Sequence, residues 1–86
     1  MTFRIESAAR GRSTVFILSG RLGTQVIAEL SRLIELPTER DIVLDLKDVG
    51  VIDRDVMRFF LRCGADGVKL ENCPSYLREW MEREKG

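Results

Sequence analysis

The chain contains no histidine. That absence removes the side chain most often used as a general base near neutral pH, and the commonest metal ligand. Cysteine occurs twice, too few for a zinc site built on thiolates alone or for a disulfide scaffold. No apolar run approaches the roughly 18 residues that a membrane-spanning helix needs. Arg4, Glu6 and Arg10 interrupt the apolar core that a secretory signal would carry at the N-terminus. Net charge of either sign is missing as well: 14 basic side chains meet 14 acidic ones. Residues 1–36 hold five Arg and Lys against three Asp and Glu, and residues 37–86 hold nine against eleven. The two parts are +2 and −2, so no nucleic-acid footprint is expected.

What is present fits one small soluble domain spanning residues 1–86, with 44% hydrophobic and 33% charged side chains. A chain of this length buries only roughly 60–65% of the surface its unfolded form exposes. Its stability is therefore marginal, and a protein partner or a second copy of itself, as a homodimer, would add to it. The scarcity of cysteine points to a reducing cytoplasm.

Hydrophobic periodicity orders the chain. Phe3, Ile5 and Ser7 alternate with Arg4 and Glu6, which predicts a half-buried strand. Ala8 to Ser13 reads as a hairpin turn around Gly11, and Thr14 to Ser19 as a central strand. After Gly20 to Gly23, Thr24 caps a helix with Val26, Ile27, Leu30, Leu33 and Ile34 on one face, stopped by Pro37. Ile42 to Leu46 is a strand and Lys47 to Gly50 a loop. Asp53 caps a second helix whose apolar stripe is Val56, Phe59, Phe60 and Cys63, with Gly64 as its C-terminal glycine. Val68 and Leu70 mark a short strand. Pro74 opens a last helix that buries Tyr76, Leu77, Trp80 and Met81.

The order β-β-α-β-α-β-α predicts an α/β fold: a four-stranded mixed sheet, an antiparallel hairpin followed by parallel strands, with helices mainly on one face. Phe3, Ile5, Ile42, Leu44, Leu46, Val68 and Leu70 would point at the helices. Arg4, Glu6, Val43, Asp45, Lys69 and Glu71 would point away. Phe16 or Leu18, with Val43, would form a small apolar patch on the open face, either covered by the chain's own termini or offered to a second copy.

The segment Ile42 to Phe60, IVLDLKDVGVIDRDVMRFF, resembles the centre of the STAS domain, the fold of bacterial anti-sigma factor antagonists and of the cytoplasmic tail of sulfate transporters. The family pattern is a hydrophobic strand ending in Asp or Asn, a loop, then Asp-Ser-Ser/Thr-Gly opening a helix. Ile17-Leu18-Ser19-Gly20-Arg21-Leu22 looks like the family's strand followed by Gly-x-Leu. Asp53 matches the family's Asp. Arg54 stands at its first Ser, Asp55 at the hydroxyl that a partner kinase phosphorylates in switching members, Val56 at its Gly, and Gly23 where many members have Asp. The resemblance implies a STAS-like regulatory module that binds a protein, an anti-sigma factor or related kinase. It also implies that the usual phosphosite, here Asp55, cannot switch it. The alternative is a small scaffold or transporter-associated subunit outside sigma-factor signalling.

Asp53 and Asp55 also have a purely structural reading, as anions at the positive end of a helix dipole. Arg54, Arg58 and Arg62 recur every four residues on the same helix. They are either a solvated face paired locally with Asp55 or Asp66, or a docking stripe for an acidic partner. Asp53, Arg54, Asp55, Arg58 and Arg62 are thus the candidate partner-binding residues. For catalysis, the acidic group Asp45, Asp48, Asp53 and Asp55 is the one candidate, as Mg²⁺ ligands at the carboxyl ends of parallel strands. No phosphate-binding loop accompanies it, and no catalytic residue, cofactor or metal is assigned. Cys63 and Cys73 fall at opposite ends of strands about 20 Å long, beyond the roughly 7 Å that a disulfide allows.

Overall fold

The computed structural model describes residues 3–35 and 41–85; the expected helix stop at Pro37 lies outside them. The elements are β1 (Phe3–Arg10), β2 (Ser13–Leu22), α1 (Gln25–Glu35), β3 (Asp41–Ile52), α2 (Arg54–Ala65), β4 (Lys69–Glu71) and α3 (Ser75–Lys85). The sheet order is β1-β2-β3-β4. β1 runs antiparallel to β2, while β2–β3 and β3–β4 are parallel. This is the mixed sheet expected from the element order.

The hairpin is tighter than its sequence suggests. β1 runs on to Arg10 and β2 begins at Ser13, so Gly11 and Arg12 alone connect them. Gly11 has φ +61°, the left-handed backbone that a type II′ turn asks of its first central residue.

Register decides which side chains meet the helices. Leu44 stands beside Phe16 on β2 and Leu70 on β4, and Ile5 stands beside Leu18. This row packs with Val26 and Leu30 of α1, Val56, Met57, Phe59, Phe60 and Cys63 of α2, and Leu77 and Met81 of α3. Phe3, Ile5, Ile42, Val68 and Leu70 pack against the same core from its rim. Phe16 and Leu18 therefore belong to the helix side and not to the open face. The pairing of Phe16 with Leu44 requires it, because cross-strand neighbours share a face.

On the open face, Val43 stands beside Val15. Both are buried, at 2% and 6% exposure, outside the main core. Neither side chain forms the open apolar patch expected there. Arg10 on β1 and Glu71 on β4 form an ion pair at 2.7 Å across this face.

β3 is longer than the run Ile42 to Leu46. Residues Lys47 to Gly50, expected as a loop, continue in strand pairing with the end of β2. The pairing steps from Ile17–Asp45 to Ser19–Asp48 and from Gly20–Val49 to Leu22–Ile52. At each step β3 carries one extra residue, as in a β-bulge. At the first, the Asp45 carboxylate accepts the Lys47 backbone N–H at 3.0 Å. Gly50 lies in the second, against the Gly20 backbone of β2.

The α2 terminus also differs from expectation. Gly64 is inside the helix, and Gly67, at φ +97°, ends it. Gly67 N–H donates to the Gly64 carbonyl at 3.2 Å, and Val68 N–H to that of Cys63 at 2.9 Å. This bond pair is the Schellman motif. α3 buries Leu77 and Met81 and half-buries Trp80, but Tyr76 is 47% exposed. Its hydroxyl donates to the Gly50 carbonyl oxygen, which holds the ring at the sheet end and outside the core.

Candidate functional site

The site grows from two chain ends tied together. β2 ends at Leu22 and β3 at Ile52, and both side chains are buried. One residue further, Asp53 N–H donates to the Leu22 carbonyl at 3.2 Å. α2 opens directly on this bond. Asp53 has the extended backbone of an N-cap (φ −79°, ψ 159°), and its carbonyl accepts Met57 N–H at 3.1 Å. Its side chain, however, makes no capping hydrogen bond. The expected structural role is filled by the Asp53 backbone, and its carboxylate is left at the surface.

Arg21, Leu22, Gly23, Val51 and Asp53 line a shallow depression of about 230 Å³. Val51 is 61% exposed, more than any other large hydrophobic side chain among the described residues. Among the described residues it is the one large aliphatic side chain that the fold displays. Arg54 and Asp55 follow in the first turn of α2, both exposed. The end of the sheet thus carries an apolar side chain flanked by two carboxylates and two guanidinium groups.

The remaining arginines of the stripe have partners, but not the expected ones. Arg58 Nε donates to Glu84 of α3 at 2.9 Å, so it joins two helices and does not pair with Asp55 or Asp66. Arg62 lies over the Phe59 ring, 5.9 Å from its centroid, within cation–π range. Both remain exposed on α2. Asp53, Arg54 and Asp55 cluster at the helix head, while Arg58 and Arg62 extend along its flank. Arg54 forms no ion pair among the described residues.

The acidic group considered for metal binding does not assemble. Asp45 accepts hydrogen bonds from Lys47 N–H and from Asn72 Nδ2, the latter at 3.2 Å, and so fastens the bulge to the end of β4. Among the described residues no three His, Cys, Asp or Glu side chains lie placed to hold a metal ion. Both thiols are free. Burial pushes Cys63 up to about 11, with Asp66 adding to the rise. Burial raises Cys73 as well, so neither thiol is activated as a nucleophile. Desolvation also raises the Tyr76 phenol.

Val51 and Arg21 were not singled out in the sequence. Val51 sits in a run, Val49 to Ile52, whose alternation breaks at the second bulge. Only that break turns Val51 outward between buried Val49 and Ile52.

Comparison with solved structures identifies the architecture. A crystal structure of an antisigma-factor antagonist, a STAS domain from Rhodobacter sphaeroides, superposes with a TM-score of 0.55 at 15% identity. The match covers 84% of this chain and 96% of that one. The fold is that of a STAS domain. No protein-family model matches the sequence, and no curated protein matches it. At this identity the likeness lies in the STAS backbone path, and the helix-head residues have to be read from their own chemistry. Among the described residues no helix of this STAS fold is long and apolar enough to cross a membrane.

Proposed function

We propose that the protein is a cytoplasmic regulatory module that binds a protein partner through the head of α2, as an anti-sigma factor antagonist does. The carrying observation is Val51, exposed beside Asp53, Arg54 and Asp55 at the end of the sheet. An isolated apolar side chain ringed by charge is how a small docking site is built: the centre loses water and the rim sets orientation. Arg54 supports the reading. A cation in the first turn of a helix opposes the dipole, so a guanidinium without an ion pair there has a better use in reaching an acidic group outside. Arg58 and Arg62 extend the same surface along α2 at lower weight, since each is already engaged internally. The similar STAS structure is of an antisigma-factor antagonist, which makes an anti-sigma factor or related kinase the partner of first choice.

The module is constitutive with respect to the usual site. Asp55 has no hydroxyl to esterify. Its single charge is weaker than the roughly 1.5–2 charges of a phosphoserine. Binding therefore depends on the charges and apolar surface encoded in the chain.

A photo-reactive residue at position 51, expressed in the source cell, tests the reading. A cross-link to an anti-sigma factor or kinase, with none from exposed position 28 on α1, is the expected result. Mass spectrometry of the same material should find the peptide Arg54 to Arg58 without added phosphate, an acyl phosphate on Asp55 included. Cross-links to a membrane transport subunit would replace the partner class, and cross-links from position 28 alone would move the surface.

A further inference from the structure

The outer edge of β1 points to a second copy of this chain. Among the described residues β1 pairs with β2 alone, so the outward backbone N–H and C=O groups of a long strand are left open to pairing. Exposed edges are normally blunted by shortness, charged side chains, proline, a bulge or a cover; the charges on β1 are of both signs and can complement one another in a pair of copies. β4, the other edge, is short at three residues. β1 has eight residues, no proline and an unbroken register with β2 from Phe3–Gly20 to Arg10–Ser13.

The side chains of β1 add a self-complementary pattern. Arg4 and Glu6 lie on the open face, 3.6 Å apart, with side chains 74% and 56% exposed. Phe3 and Ile5 lie on the helix face and are only half-buried. A two-fold axis perpendicular to the sheet pairs β1 antiparallel with its own copy and keeps all helices on one side. The centre of that pairing is then a single residue facing itself, which leaves few registers. Centring on Arg4 or on Glu6 sets like charge against like. Centring on Ser7 sets Arg4 against Arg10. Centring on Ala8 sets Glu6 against Arg10, which is already bound to Glu71 across the open face. Centring on Ile5 sets Arg4 against Glu6 twice, Ile5 against Ile5 and Phe3 against Ser7, and leaves Arg10 with Glu71.

We propose that the protein forms a two-fold homodimer by antiparallel β1–β1 pairing centred on Ile5, joining the two sheets into one of eight strands. Each cross-strand Arg4–Glu6 pair closes a four-charge cluster on the open face, and the two Ile5 side chains cover each other on the helix face. The head of α2 follows the end of β3, two strands in from the β1 edge. The dimer thus uses the backbone edge of β1, whereas the partner surface described above uses side chains at the α2 head.

Sedimentation velocity on the full chain, from micromolar to millimolar concentration, tests this. The expected result is a monomer–dimer equilibrium that Arg4→Glu and Glu6→Arg each weaken by about tenfold at low salt, as two attractive pairs become two repulsive ones. The double variant R4E/E6R should recover dimerisation, and Arg10→Ala should leave it unchanged. All three substituted positions are exposed, and circular dichroism checks that each of the four variants is folded. A chain that is monomeric throughout, a dimer indifferent to both charge reversals, a double variant that stays weak, or a dimer lost with Arg10→Ala would each overturn the proposal.

Discussion

Arg10 and Glu71 stand on the two opposite edge strands and meet across the open face of the sheet, Nη2 to Oε2, at 2.7 Å. Between them run β2 and β3, with Val15 and Val43 buried on that face. A hairpin strand and a late parallel strand are thus closed over a face that carries no helix. The hydrogen bond from Arg10, and then its charge, hold the Glu71 carboxyl below the usual carboxylate range, while partial burial opposes this and Lys69 assists.

That linkage has a sign. A carboxyl with a depressed folded-state pKa adds stability above its unfolded value of about 4.3 and loses it as pH falls through the lower folded value. Wild type should therefore melt above Glu71→Gln at neutral pH, and the two melting curves should converge in acid below about pH 4. The gap should also shrink in high salt, because the pair is partly exposed. Thermal melts over a pH series check this; a constant gap down to pH 2 would show that the side chains act by packing alone.

The division of β3 between two faces predicts unequal costs for neighbouring substitutions. Leu44 is fully buried in the helix-side core, and Leu44→Ala should cost about 2–5 kcal/mol. Asp45→Asn keeps a side-chain oxygen for Lys47 N–H and should cost under about 1.5 kcal/mol. Urea denaturation compares them directly, and equal losses would contradict the facing assignment.

The two glycines at the end of α2 should respond in opposite directions. Gly64 is helical, and a Cβ there meets nothing within 4 Å. Gly64→Ala should stabilise by about 0.5–1 kcal/mol through helix propensity alone. Gly67 at φ +97° forms the Schellman turn, and Gly67→Ala should destabilise by about 1–2 kcal/mol. Melting temperatures of the two variants report the difference.

Much of the architecture was legible because burial imposes a period. The α1 face through Val26 and Leu30, the α2 stripe, and the inward set Ile42, Leu44 and Leu46 could all be read from spacing. The continuation of β3 through Lys47, Asp48 and Gly50 was not. Polar residues and a glycine mimic a loop when bulges interrupt the alternation, and the strand is held there by pairing with β2, which no local pattern encodes. The same holds for the site. Asp53, Arg54 and Asp55 follow from helix-start chemistry. The display of Val51, the Arg58–Glu84 bond and the escape of Tyr76 from the core depend on long-range packing. Gly64 was the nearer glycine to the apolar stripe, yet the helix takes one more turn because Gly67 and Val68 close its carbonyls.

The central claim is that the head of α2 binds a protein partner without phosphorylation, with Val51 at the centre and Arg54 on the rim. Titration calorimetry of the cross-linked partner, once purified, against unphosphorylated chain tests it most directly. The account predicts binding by the wild type and a loss of about tenfold or more for each of Val51→Asp and Arg54→Ala, with melting temperatures unchanged and the Arg54 effect reduced in high salt. Wild-type affinity retained by both variants would contradict it.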